Sequence, residues 1–173
     1  SNTNSNFQVL DTQKKLSDIF VHRGKLIKGK IKIKDSVNLV IDIERRAAIR
    51  AYHSATHLLH EALRRILGKH VIQKGSFVGP DKLRFDFSHM KPITENEIKK
   101  IEKYVNEMVK SNSEVRTRLM TPKEAVDNGA LALFGEKYGD EVRVLSMGNE
   151  NNKYFSTELC GGTHVKNTSE IGD

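Results

Sequence analysis

The stretch Glu44-Arg-Arg-Ala-Ala-Ile-Arg-Ala-Tyr-His-Ser-Ala-Thr-His-Leu-Leu-His-Glu-Ala-Leu-Arg-Arg-Ile-Leu-Gly68 decides the fold. It contains no proline, its only glycine is its last residue, and its apolar residues recur at helical spacing. A helix is expected over about residues 44–67, with Gly68 as a left-handed C-terminal cap. At about 100° per residue, Ala48, Tyr52, Leu59, Leu63 and Ile66 fall on one flank and are expected to face a core. A second side, rotated by roughly 100–140° from that flank, carries His53 and His57 one turn apart, with His60 close to the same stripe.

Downstream, residues 70–78 and 82–88 flank the turn signal Gly79-Pro80-Asp81 and are expected to form a hairpin. In its second strand Leu83, Phe85 and Phe87 point one way and Arg84, Asp86 and Ser88 the other. Thr94 and Glu97 form a capping box for a second helix to about Lys110, with Ile98, Ile101, Val105 and Met108 as its apolar stripe. Thr121-Pro122-Lys123-Glu124 opens a short third helix ending near Gly129. Strands are expected around residues 141–145 and 154–159. Upstream, residues 7–43 read as short strands: Ile19-Phe20-Val21, then Ile27, Ile31 and Ile33 alternating with Lys28, Lys30, Lys32 and Lys34, then Val37 to Ile43. The expected class is α+β: a partial β-barrel leader over 7–43, then a two-layer sandwich of mostly antiparallel sheet and helices over 44–173. Residues 1–6 are small and polar and read as a disordered tag remnant.

The 173 residues suffice for one domain or two small ones, and 37% hydrophobic with 29% charged residues is a globular composition. Lysine and arginine number 29 against 22 acids, a net charge of +7 that favours an anionic partner, nucleic acid first. No apolar run reaches the roughly 18–20 residues that cross a bilayer. A lone cysteine, Cys160, excludes an intrachain disulfide and fits a reducing, cytoplasmic setting.

That thiol lies in Cys160-Gly161-Gly162-Thr163-His164, where two glycines permit the tight backbone needed to aim both side chains at one ion. Joined to His53 and His57, these residues make a tetrahedral His3Cys set expected to hold Zn2+. Separately, each pair also fits a bland account, a surface histidine pair and a buried thiol beside a turn. A metallopeptidase of the His-Glu-x-x-His type would need glutamate after the first histidine, and this chain has Ser54.

His53-Ser-Ala-Thr-His57-Leu-Leu-His60, Gln73-Lys-Gly-Ser76, Leu83-Arg-Phe-Asp-Phe87, Gly129-Ala-Leu-Ala-Leu-Phe-Gly-Glu-Lys-Tyr-Gly139 and Cys160-Gly-Gly-Thr-His164-Val together resemble the editing domain of alanyl-tRNA synthetases, from about Phe7 to the end. The histidine and cysteine motifs are shared with the second additional domain of threonyl-tRNA synthetases and with freestanding alanyl-tRNA editing proteins. The Ser-Gly-Gly-Gln segment that this family carries upstream is absent. The text stops at Ile171-Gly172-Asp173, so the chain reads as a fragment lacking the ATP-dependent aminoacylation domain, with parts of the barrel and a last strand incomplete.

A synthetic pocket made for alanine excludes glycine and serine poorly, so a second hydrolytic site is needed. The resemblance implies hydrolysis of the ester joining serine or glycine to the terminal adenosine of tRNA for alanine. By the same resemblance His53, His57, Cys160 and His164 are the metal ligands, Thr56 senses the serine hydroxyl, and Gln73 lies in the pocket; Thr56 and Gln73 are the catalytic candidates. Zinc either polarises a water for attack on the ester or organises the pocket while a ribose hydroxyl of the substrate helps activate water. Arg84 and Asp86 are expected at the substrate or as an exposed ion pair. The loop from Phe134 to Gly139, with Glu136 and Lys137, is expected to border the substrate or to be a plain turn. Lys28, Lys30, Lys32 and Lys34 are expected on one strand face, as a solvated edge or a tRNA contact. Two alternatives stay open: an editing domain of threonyl type, and a non-catalytic tRNA-binding module with structural zinc.

Overall fold

The computed structural model describes residues 5–16, 19–131 and 139–172. The chain divides into two units, Ser1–Ile41 and Asp42–Asp173. In the first, β1 (Asn6–Lys15) and β2 (Ile19–Lys28) form an antiparallel ribbon. No barrel closes among the described residues, and residues 29–42 hold no strand. The expected lysine face is therefore corrected: Lys28 ends β2, whereas Lys30, Lys32 and Lys34 lie in irregular backbone. The cause is local. Gly29 (φ 82°) and Lys34 (φ 74°) leave the extended region, and the Lys32 N–H donates to the Asp35 carboxylate at 2.8 Å, which makes a turn where alternation suggested a strand.

The second unit opens with α1 (Ile43–Leu67), whose first turn is capped by Asp42 accepting from the Arg45 N–H. Gly68 ends it at φ 119°, ψ 162°, a glycine-only region rather than the left-handed cap expected. The hairpin β3 (Gln73–Val78) and β4 (Leu83–Phe87) follows, then α2 (Glu95–Lys110), β5 (Arg116–Met120), α3 (Pro122–Asp127), β6 (Val142–Glu150) and β7 (Lys153–Leu159). The last three strands make an antiparallel sheet in the order β5-β6-β7. A single 3-10 turn, Thr168–Ile171, closes the described chain.

β6 is buried on both faces, because α1 and α2 cover one and α3 the other. Leu145 and Met147 join Leu58, Ala62 and Leu63 of α1 and Ile101, Met108 and Val109 of α2 in the main core. Val142 and Val144, on the other face, meet Ala125 of α3 and Leu159 of β7. Helix α1 is contacted by the β3–β4 hairpin as well as by β7. That explains why Leu58 and Ala62, off the predicted flank, are fully buried. In α2, Ile98 is 43% exposed and drops out of the predicted stripe, which Val109 completes. Among the described residues no helix is long and apolar enough to cross a membrane.

Candidate metal centre

Helix α1 and the segment after β7 build the site from opposite sides. Alternation along β7 points Ser156 and Glu158 to the α1 side, and Cys160 follows two residues on. The chain then passes close over α1. A Cβ on Gly162 would lie 2.2 Å from the His53 ring, so glycine is required there for close approach, whereas Gly161 faces open space. Neither glycine has a positive φ. The expected tight turn is therefore replaced by a need for room at one of the two positions.

The structure brings His53, His57, Cys160 and His164 together, one ligand atom from each lying within 4.8 Å of the others. Cys160 Sγ is 3.6 Å from His53 Nε2 and 3.3 Å from His164 Nε2. Bonds of about 2.0–2.3 Å to one tetrahedral zinc imply ligand separations of about 3.3–3.7 Å, so the set suits that ion. The histidines are held from behind. His57 Nδ1 donates to Glu158 Oε2 at 2.8 Å, which turns Nε2 toward the cluster. His164 Nδ1 lies 3.4 Å from the Ser54 hydroxyl, whose oxygen also accepts the Val165 N–H at 3.2 Å. Ser54 thus stands where a metallopeptidase would carry its glutamate and fastens the loop to the helix.

His57 Nε2 and His60 Nε2 are both buried without a hydrogen-bond partner, and of the two residues only His57 belongs to the cluster, where an ion would take up that nitrogen. The electrostatics agree. Burial alone would raise the Cys160 thiol, yet hydrogen bonds from the His164 and His53 rings, with the charge of the nearby His57 ring, push it down to about 3. Burial likewise opposes the charges on Glu158 and His57. The His57 and His60 rings overcome it and hold Glu158 at about 2, while Cys160 and Glu158 raise His57 to about 9. The result is a half-buried thiolate and a buried carboxylate around histidines, a donor set suited to a divalent cation.

Glu158 is the functional residue that sequence reasoning missed. It is 6% exposed and bridges His57 and His60, whose Nδ1 lies 3.0 Å from Oε1. His60 packs its ring on Phe85 of the hairpin, 5.1 Å between centroids. The available signal was the two-residue step from Glu158 to Cys160 on one strand face.

The remaining predicted residues do not join the cluster by any bond among the described residues. Thr56 is buried, and its hydroxyl donates to the Tyr52 carbonyl one turn back. Gln73 is half-buried at the start of β3, paired in register with Phe87. Arg84 and Asp86 make a solvent-facing ion pair at 3.1 Å with each other. The loop with Glu136 and Lys137 lies outside the described residues up to Tyr138.

Residues 142–173 match the family model described as "Threonyl and Alanyl tRNA synthetase second additional domain". The chain is 60% identical to the alanine–tRNA ligase of Parvibaculum lavamentivorans, across 95% of this chain and 19% of that protein. Similarity to the alanine–tRNA ligases of Rhodopseudomonas palustris (58%, 96% of this chain) and Granulibacter bethesdensis (59%, 95%) is of the same kind, again over 19% of each. The resemblance read from the motifs therefore stands, with the chain spanning about a fifth of the length of these relatives.

Proposed function

We propose that this chain, similar along nearly its whole length to alanine–tRNA ligases, is a deacylase that removes serine or glycine from the 3′-terminal adenosine of mischarged tRNA for alanine, in the cytoplasm. The observation that carries this reading is the His3Cys cluster, which includes the His57 ring with its orphaned Nε2 and reaches an open cleft at His164. His53, His57, Cys160 and His164 would hold zinc, which supplies Lewis acidity toward the ester carbonyl or a water. The protein's own part is orientation. Glu158 accepts from His57 Nδ1 and so turns Nε2 toward the cluster, where a metal would displace its proton, Ser54 contacts His164 Nδ1, and Gly162 leaves room for the His53 ring. Thr56 keeps an acceptor oxygen for an added hydroxyl, and Gln73 offers both a donor and an acceptor to the amino acid or ribose.

Single-turnover deacylation of seryl-tRNA for alanine, with alanyl-tRNA as control, tests this. Rapid loss of serine with alanine spared is expected from the metal-bearing protein, and loss of both metal and activity from Cys160→Ala. Tight tRNA binding by folded, metal-loaded protein without ester cleavage would refute the deacylase and favour a binding module.

A further inference from the structure

Beside the ligand cluster lies a set of cations that the deacylase reading does not use. Along α1, Arg46, Arg50, His53 and His57 follow one another at steps of four, three and four residues, which places them on one stripe. Arg143 of β6 and Lys166, two residues past His164, join Arg46 and Arg50 around a cleft of about 600 Å³ that also borders Gly162 and His164. Among the described residues no carboxylate lines it. Among the described residues none of these four cations has an acid within ion-pair distance, whereas Arg64, Arg65, Arg84 and Arg116 each do.

Two of the guanidinium groups are anchored by the loop that carries the thiol and the third histidine. Arg50 Nε donates to Thr163 Oγ1 at 3.0 Å, and Arg143 Nη1 donates to the Gly162 carbonyl. Arg46, Arg50 and Arg143 are half-buried. Held, partly desolvated guanidinium groups without carboxylates suit phosphate oxygens, which accept their remaining N–H donors in pairs. Arg46 and His53 are seven residues apart, about 10 Å along the helix. The charges thus run as a line toward the cluster rather than as a ring around one small anion.

We propose that this cleft is a phosphate-binding subsite, in which Arg46, Arg50, Arg143 and Lys166 hold the phosphodiesters just before the terminal nucleoside and so direct a nucleic-acid strand into the metal cluster. The direction of the strand rests on the deacylase reading; the phosphate chemistry does not.

The test uses the metal-loaded full chain, R46Q/R50Q, and R46K/R50K as a charge-retaining control, with metal content matched. Binding of a short single-stranded RNA ending in cytidine, cytidine and adenosine is followed by fluorescence anisotropy across a salt series. R46Q/R50Q is expected to weaken binding by about tenfold or more at low salt. Its log–log salt slope becomes shallower by about 1.4, at 0.7 per lost phosphate contact, while R46K/R50K keeps most of the slope. In parallel, the ratio of kcat/KM for seryl-tRNA to that for the seryl ester of adenosine, which has no phosphodiester, falls about tenfold in R46Q/R50Q. An unchanged slope, an equal loss with both esters, or displacement of the RNA by equimolar inorganic phosphate overturns the proposal. Wild-type protein that binds the RNA with the expected slope but cleaves neither ester overturns the deacylase reading alone.

Discussion

Gly162 shows how narrowly the cluster is built. Any side chain there would enter the His53 ring, whereas a Cβ on Gly161 would meet nothing within 4 Å. Gly162→Ala is therefore expected to abolish stoichiometric metal binding and Gly161→Ala to retain it, as measured by metal content after dialysis. Equal retention by both would show that the His53 ring can move aside. Glu158→Gln keeps the shape but removes the charge behind His57 and His60. It should weaken metal affinity by about 10- to 100-fold, read by competition with a chromogenic chelator. At this scale the grouping of His53, His57, Cys160 and His164 was legible because imidazole and thiol at turn spacing are rare and chemically pointed. Glu158 was not, since an acid in a strand normally belongs to the wet face, and only its step to Cys160 and the nearness of His60 to His57 tell otherwise. Arg46 and Arg50 were hidden in the same way: arginines near the start of a helix ordinarily read as solvated, though their register with His53 was in plain view.

At the scale of elements, legibility follows the strength of local punctuation. The capping boxes of α2 and α3 are both formed, with Glu97 and Glu124 accepting from Thr94 and Thr121. The bond from the Thr94 side chain and those from the Thr121 backbone and side chain hold both carboxyls below the usual glutamate value of 4.5. A carboxyl depressed in the folded state contributes stability above its unfolded pKa, and that contribution is lost as pH falls through the depressed value. The helix starts should thus loosen on acidification below about 4.5, seen as faster amide exchange in the first turn of α2. Thr94→Ala should cost about 1 kcal/mol in denaturant unfolding and remove most of that pH dependence; a variant as stable as the parent would deny the cap its role. Sequence reading passed over β5 because Arg116-Thr-Arg-Leu-Met120 is an exposed edge strand without apolar alternation, defined only by pairing to β6. It placed strands in residues 29–42 because alternation of isoleucine and lysine cannot reveal the positive φ of Gly29 and Lys34.

For the whole molecule, the α+β class and the helix–hairpin–helix order were legible from periodicity, while the fit of α1 between hairpin and sheet was not, since two buried sides of one helix depend on partners far along the chain. A metal in the cluster would tie α1 to the segment after β7 and so bind the native state alone. Chelation should lower the thermal unfolding midpoint of the unit 42–173, and metal at about 100 times its Kd should restore about 2.7 kcal/mol; scanning calorimetry with and without chelator measures both, and an unmoved midpoint in verified metal-free protein would deny the tie. The separation of the two halves also sets a clock. His53 and Cys160 are 107 residues apart, and at about 5–20 residues per second the ribosome delivers the second half roughly 5–20 s after the first. Through that interval α1 carries its histidines with neither the thiol nor Glu158 yet made, so the complete site can be loaded only at the end of synthesis of this stretch, and any ion taken earlier is held by two imidazoles and easily surrendered.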